Sequence, residues 1–254
     1  MDSEKFFRQL DEYFEKNEIE AAGKYLEESL EIVRKEGNVS LEIAILNEMM
    51  GYYRSTNQEE KGIRSVEEGV YLIRDSGLEG HPEVAKMWIN MGTTLCHFER
   101  VEEAEICYKN AEMFFGESAY GALNMAGLYN NTAAVYVKTG RFEEAAKRYD
   151  KALEILDTLQ EESEFWEDLA FNRIVTWLNM IVMNRVKMES ENYPDNSETE
   201  KEIQKKVSLV KEILSSSKFQ KTSSFPYAVK KSIHCFENLN DEENVAWVRM
   251  LENQ

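Results

Sequence analysis

Between residues 129 and 156, the hydrophobic pattern predicts two amphipathic helices joined by a tight turn. Tyr129, Ala133 and Tyr136 recur at helical spacing, so they share one face of the first helix. Gly140 interrupts this pattern, and glycine readily takes the positive φ with which many helices end. The inner stripe of the second helix is formed by Ala145, Tyr149, Ala152 and Leu153. One such hairpin cannot bury its apolar faces alone, so we expect neighbouring hairpins.

An internal repeat supplies these neighbours. Trp88 corresponds to Tyr129, which lies 41 residues later in the chain. Ala104 corresponds to Ala145 at the same distance of 41 residues. The small residues near the starts of the second helices are Ala22, Gly62, Ala104 and Ala145. Their successive steps of 40, 42 and 41 residues indicate a repeated helical unit.

This order of bulky, small, turn, small and aromatic residues resembles the tetratricopeptide repeat, a unit of about 34 residues. The longer period resembles the long repeats of kinesin light chains and of several bacterial regulators and peptide receptors. The sequence YNN at residues 129–131 is similar to the light-chain pattern. The resemblance implies an all-α fold: a right-handed superhelix, or solenoid, of antiparallel helix hairpins. It implies a single domain over residues 1–254. Repeats are expected at residues 3–36, 40–76, 82–116 and 118–160, with degenerate repeats or a cap at 162–254.

Residue types at the expected turns support this division. Asn17 and Asn57 stand where Gly140 stands, and asparagine is the next best residue for a left-handed turn. Gly62 and Gly69 lie inside a predicted helix, where we interpret them as positions of close helix packing. Pro82 suits a helix start, and Gly116 followed by Ser118 predicts a helix end and a new start.

The pattern loosens after residue 159, yet it still predicts helices. One long apolar helix is expected at 165–188, a mobile polar loop at 189–200, and further helices at 201–214 and 226–237. Asn240 with Glu243 resembles a capping box that starts a last helix ending near residue 252. The chain should therefore contain about twelve helices.

The composition of the chain disfavours two classes of partner, nucleic acid and membranes. The net charge of −18 argues against nucleic acid, whose binding usually needs a basic face. The charged N-terminus is unlike a secretory signal, and no apolar run reaches 18 residues, so neither export nor a membrane partner is expected. Cys96, Cys107 and Cys235 lack metal-ligand spacing and are expected to be buried thiols of a cytoplasmic protein.

No catalytic or cofactor-binding motif occurs in the sequence. The acidic pairs 59–60, 102–103 and 143–144 recur in the first turns of the second helices, where carboxylates favour the positive end of the helix dipole. Adjacent helical residues do not face one another, which disfavours acid/base dyads. The three histidines have no recognised ligand spacing. We expect no enzymatic activity, no cofactor and no metal.

Three asparagines form the main candidate site. Asn90, Asn131 and Asn172 recur at intervals of 41 residues. The resemblance implies that this position faces the concave groove, where an amide hydrogen-bonds the main chain of an extended peptide. Further peptide-binding candidates are Lys86, His97, Asn130, Lys138 and Asn179. The alternative is that asparagine is simply common at this place in the repeat.

Positive charge concentrates near the C-terminus. Residues 201–234 carry eight lysines and two glutamates, a net charge of +6. This segment is either a solvated helix face, a docking face for an acidic partner, or a contact with the acidic part of the same chain.

Three functions remain open. The first is a non-enzymatic adaptor or regulatory scaffold that binds a protein or an extended peptide. The second is a sensor of a small signalling peptide, as in the bacterial receptors that the repeats resemble. Repeats that begin almost at Met1 count against a complete receptor of that kind. The third is an enzyme with an unrecognised site. The sequence leaves the oligomeric state open.

Overall fold

A computed structural model describes residues 1–79, 81, 84–113, 119–159, 165–190 and 197–252. These residues form twelve α-helices and no β-strand, which confirms the all-α prediction. The helices are α1 (Ser3–Glu15), α2 (Ile19–Glu36), α3 (Val39–Ser55), α4 (Glu59–Asp75), α5 (Ala85–His97), α6 (Val101–Glu112), α7 (Ala119–Lys138), α8 (Phe142–Thr158), α9 (Trp166–Glu189), α10 (Ser197–Leu214), α11 (Phe225–Asn238) and α12 (Glu242–Glu252). A short 3-10 helix spans Phe219–Lys221.

The chain divides into two compact units, Met1–Phe115 and Gly116–Gln254, here called the N-terminal and C-terminal units. In the N-terminal unit, α1 pairs with α2, α3 with α4 and α5 with α6, and α3 also packs against α2 and α5. The inner stripes bury Phe6, Ile45 and Met91 completely. Burying each such side chain contributes about 1.5–3 kcal/mol, so the stacked hairpins supply the core that one hairpin lacks.

The C-terminal unit repeats this arrangement. Here α7 pairs with α8, α9 with α10 and α11 with α12, while α9 also packs against α7, α8 and α11. Its main core gathers Ile181, Leu214, Phe219, Phe236 and Val248, all at most 1% exposed. The last four helices therefore continue the hairpin pattern.

One left-handed residue makes the turn in five of the hairpins. Asn17, Asn57 and Gly140 have φ values of 56°, 53° and 71°, which confirms three predicted turns. Glu99 and Asn240 take the same conformation, with φ values of 63° and 54°. In each case the next residue donates its N–H to the carbonyl five residues earlier, at 2.8–2.9 Å. This closes the first helix with the hydrogen bond of a Schellman motif.

The cap of α12 differs from the prediction by one residue. Asn240 makes the left-handed turn, so it does not begin the helix as a capping box would require. Instead, the Asp241 carboxylate accepts the backbone N–H of Asn244 at 3.1 Å. The prediction was wrong because Asn240 was needed for the turn.

Two glycines within α4 are close-packing positions, as predicted. A β-carbon on Gly62 would lie 2.6 Å from the Phe98 ring, and one on Gly69 would lie 2.5 Å from the Met87 methyl group. The three cysteines are buried thiols outside any disulfide bond, as predicted. Burial raises the pKa of Cys107 and that of Cys235 to about 12.

Several sequence predictions fall partly outside the described residues. The expected caps at Pro82, Gly116 and Ser118 lie there, as does half of the expected loop at 189–200. At the ends of that loop, α9 continues to Glu189, one residue beyond the prediction, and α10 begins at Ser197, four residues earlier than predicted. Residues 197–200 are therefore helical, and the prediction of a loop there was wrong.

Candidate functional site

Each unit carries a groove on the surface of its first helices. The groove of the N-terminal unit has a volume of about 250 Å³ and lies among α1, α3 and α5. Its apolar lining includes Phe7, Ile43 and Met87, and its polar lining includes Glu48 and Lys86. Lys86 is thus a predicted site residue that lines a groove.

Glu48 gives the N-terminal groove a half-buried carboxylate. The Asn47 amide lies 3.5 Å from its Oε1, and no cation of the described residues forms an ion pair with it. Burial raises the pKa of this carboxyl, and the negative charge of Asp11 raises it further, while the Asn47 contact lowers it.

The groove of the C-terminal unit is larger, at about 400 Å³, and lies between α9 and α11. The α9 side is mostly apolar, with Val175, Leu178 and Val182. The α11 side presents Tyr227, which is 67% exposed, and a polar row at Lys230, Lys231, His234 and Asn238. At its floor, buried Cys235 places its sulfur 3.8 Å from the Leu178 carbonyl, which brings the two helices together.

Asn90, the first of the three repeated asparagines, bonds within the N-terminal unit. Its Nδ2 donates to the Asn47 carbonyl at 2.8 Å, and its Oδ1 accepts from Arg54 Nη1 at 2.8 Å. Arg54 also donates to Thr94 at 3.1 Å. The amide of Asn90 therefore ties α3 to α5.

The other two repeated asparagines belong to the C-terminal unit. Asn131 is half-buried, and its side chain makes no hydrogen bond with another described residue. Asn172 donates to the carbonyl of Asp168, one turn earlier in the same helix, at 2.8 Å. Neither amide is used to join two helices, in contrast to Asn90.

The remaining predicted site residues have different environments. Asn130 is buried and donates to Thr176 at 2.7 Å, which joins α7 to α9. His97 and Lys138 are exposed at the ends of α5 and α7. Asn179 is half-buried and lines the groove of the C-terminal unit. Of the eight predicted site residues, Lys86 and Asn179 thus line the two grooves.

The repeated acidic pairs lie at helix starts, as predicted. Glu103 accepts from Arg100 at 2.8 Å, and Glu144 accepts from Arg141 at 2.6 Å. The hydrogen bond from Arg141 lowers the pKa of exposed Glu144. These residues form local ion pairs at the turn rather than acid/base dyads. Across the described ranges, no three potential metal-ligating side chains cluster together.

Sequence reasoning missed the α11 side of the C-terminal groove. Lys230 and Lys231 enter the sequence analysis only as charge, although Tyr227, Lys231, His234 and Asn238 follow one another at steps of four, three and four residues along the same helix. That spacing places them on one face. It could have indicated a polar stripe, but which helix this stripe opposes depends on the tertiary structure.

Comparison with known proteins supports the repeat assignment. The tetratricopeptide repeat family model matches residues 83–158, which correspond to the α5–α8 region. No curated protein sequence matches the chain. No helix in the described part of the chain is both long and apolar enough to cross a bilayer.

Two solved structures share the fold. BtubC (BKLC) from P. vanneervenii matches with a TM-score of 0.67 and 18% identity, over 84% of this chain and 81% of that chain. A Podospora anserina protein provisionally named as a kinesin light chain, with nearly identical TPR-like repeats, matches with a TM-score of 0.50 and 13% identity. That match covers 82% of this chain and 92% of the other. Together with the helix hairpins, these similarities show that the chain has the fold of tetratricopeptide repeat proteins, and that residues 83–158 match the repeat itself.

Proposed function

We propose that this chain is a non-enzymatic scaffold that binds a protein segment along the first helices of its repeats. The observation that carries the proposal is the groove between α9 and α11. Its volume of about 400 Å³ lies within the range of roughly 300–1,000 Å³ that is common for binding pockets. An apolar wall beside convergent polar groups is the combination that gives a site both affinity and orientation.

The groove suits an extended segment better than a compact small molecule. Its lining residues run along two helices, and Asn179 and Asn238 stand on opposite helices. Each amide offers donors and acceptors to a peptide main chain. Val175, Leu178 and Val182 can receive the apolar side chains of the same segment.

The repeated asparagines take two roles in this proposal. Asn131 and Asn172 remain candidate peptide contacts, together with Lys138 and His97, which are exposed. The amides of Asn90 and Asn130 already join neighbouring helices, so we assign them to positioning the first helices. Three buried thiols are compatible with a reducing compartment, and the proposal places the scaffold in the cytoplasm.

A random peptide library displayed on phage tests the proposal without assuming a ligand. Peptides selected on the wild-type protein are measured against Val182→Trp, which fills the apolar wall of the groove. Ile32→Trp is the matched control, because Ile32 is an exposed aliphatic residue of α2 in the other unit. Circular dichroism verifies that both variants fold.

We expect the selected peptides to lose at least tenfold in affinity for Val182→Trp and less than twofold for Ile32→Trp. Equal binding to the wild type and Val182→Trp would place the binding site elsewhere and overturn the assignment to this groove.

A further inference from the structure

The two walls of the C-terminal groove differ in chemistry, although Asn179 adds one amide to the mostly apolar α9 wall. On α9, Val175, Leu178 and Val182 are separated by three and four residues, so they form one apolar stripe about 10 Å long. On α11, the stripe from Tyr227 to Asn238 is about 16 Å long and mainly polar. A ligand in the groove therefore meets an apolar surface on one side and a polar surface on the other.

The polar wall is locally cationic. Lys230 and Lys231 are exposed, and neither forms an ion pair with a carboxylate of the described residues. No aspartate or glutamate lines the groove. The imidazole of His234 lies on the same stripe, with its Nε2 3.1 Å from the Asn238 amide nitrogen.

This local charge contrasts with the chain as a whole, whose net charge is −18. Repulsion of an acidic ligand by distant carboxylates is screened beyond about 8 Å at physiological ionic strength. The two ammonium groups inside the groove act at shorter range. Charge complementarity therefore favours an acidic occupant here, despite the acidity of the whole chain.

Resting on the proposed function, we propose that this groove selects an extended acidic segment in which acidic and apolar residues alternate. Successive side chains of an extended strand point in opposite directions. Such a segment can direct its carboxylates to Lys230 and Lys231 while its apolar side chains contact the α9 wall. At about 3.3 Å per residue, roughly five residues match the length of the α11 stripe.

Alternation separates this ligand from a generally acidic one. A segment with all its acids followed by all its apolar residues has the same composition and charge, but it presents both kinds of side chain to each wall. It would leave some carboxylates against the aliphatic wall, where they lose hydration without gaining a partner. The groove should therefore distinguish two peptides that differ only in residue order.

Fluorescence anisotropy with three labelled seven-residue peptides provides the test. The first alternates glutamate and valine, the second has the same composition in two blocks, and the third alternates lysine and valine. The protein variants are Lys230→Glu/Lys231→Glu in the groove and Lys201→Glu/Lys205→Glu on exposed positions of α10. Both variants change the net charge equally.

We expect the wild type to bind the alternating acidic peptide at least tenfold more tightly than the block peptide. Lys230→Glu/Lys231→Glu should lose at least tenfold for the alternating acidic peptide and gain affinity for the lysine peptide. The α10 control should change either affinity by less than twofold.

Equal binding of the alternating and block acidic peptides would overturn the selection by alternation. Acidic binding that survives Lys230→Glu/Lys231→Glu would overturn the assignment of the carboxylates to this wall. In either case, groove-dependent binding of library peptides would leave the proposed function standing. The proposed function would also be overturned only if Val182→Trp left the affinity for the library peptides unchanged.

Discussion

The grooves of the two units occupy comparable surfaces and differ in charge. In the N-terminal unit, half-buried Glu48 and exposed Lys86 place both signs of charge in one groove beside Phe7. In the C-terminal unit, Lys230 and Lys231 line a groove that contains no carboxylate. Both grooves are formed by first helices of helix hairpins.

This difference separates what the repeat determines from what it leaves free. The small residues and left-handed turns recur along the chain and set how the hairpins pack. The residues that line the grooves do not recur, since Glu48 and Lys231 have no equivalent in the opposite groove. The repeated architecture therefore supplies a groove, and the variable residues set its charge and polarity.

Replacing a repeated asparagine should have a large effect in one unit and little in the other. Asn90→Ala removes the hydrogen bonds that its amide makes to Arg54 and to the Asn47 carbonyl, while Arg54 keeps its bond to Thr94. We expect it to lower the free energy of unfolding by about 1–3 kcal/mol. Asn172→Ala removes only a bond within one helix and should cost less than about 0.5 kcal/mol.

Urea unfolding followed by circular dichroism measures both values. Equal losses for the two variants would mean that Asn90 does not join α3 to α5 in solution.

Two glycines should respond oppositely to alanine. A β-carbon on Gly92 would lie 2.6 Å from the ring of buried Tyr108, whereas one on Gly127 would meet no atom within 4 Å. Gly92→Ala should destabilise the protein by about 1–2 kcal/mol, because overpacking exceeds the gain in helix propensity. Gly127→Ala should stabilise it by about 0.5–1 kcal/mol.

Thermal unfolding of the two variants tests this contrast, since the predicted shifts in Tm have opposite signs. A stabilising Gly92→Ala would show that the Tyr108 ring moves aside at no cost.

The turns of α5–α6 and α7–α8 have the same backbone conformation at different residue types, Glu99 and Gly140, so substitutions at these two positions can be compared. Glu99 takes a left-handed conformation that costs a residue with a β-carbon about 1 kcal/mol, and Gly140 takes the same conformation freely. Glu99→Gly should raise the free energy of unfolding by about 0.5–1 kcal/mol, and Gly140→Ala should lower it by a similar amount.

Glu99→Ala is the control, because it removes the carboxylate while it keeps the β-carbon. A gain from Glu99→Ala as large as that from Glu99→Gly would assign the effect to charge rather than to backbone conformation.

Glu48 should give the smallest effect, and this effect depends on pH. Because burial raises the pKa of this carboxyl in the folded state, the folded protein binds its proton more tightly than the unfolded chain does. Its contribution to stability therefore falls as the pH rises from the unfolded pKa through the folded pKa. Glu48→Gln should stabilise the protein at pH 7 relative to the wild type and have a smaller effect at pH 4.

Urea unfolding at the two pH values measures this difference, and exposed Glu15→Gln serves as the control. A Glu48→Gln variant that is less stable than the wild type at pH 7 would indicate a partner for the carboxylate.

The sequence predicted the repeated features well because they depend on local residue chemistry. Asn17, Asn57 and Gly140 were recognisable as turns by residue type. Glu99 was not, since glutamate rarely takes positive φ, although its offset of 41 residues from Gly140 marks the same place in the repeat.

The candidate site was harder to predict because its contacts join distant parts of the chain. The spacing of Asn90 places it on a first helix. Nothing in the neighbouring sequence indicates that Arg54, 36 residues earlier, donates a hydrogen bond to it. Likewise, the positive charge near residue 230 was evident, whereas the pairing of α11 with the apolar stripe of α9 was not. Helix faces follow from spacing, and their partners follow from the fold.

Methyl NMR of the 29.6 kDa protein tests the central claim most directly. The isoleucine, leucine and valine methyl groups are labelled, and the tightest peptide from the random library is titrated in. We predict saturable shifts at Val175, Leu178 and Val182 in the C-terminal groove, with Ile43, Leu78 and Val84 in the N-terminal groove unchanged. Shifts confined to the N-terminal groove, or a bound peptide that perturbs neither set, would contradict the claim.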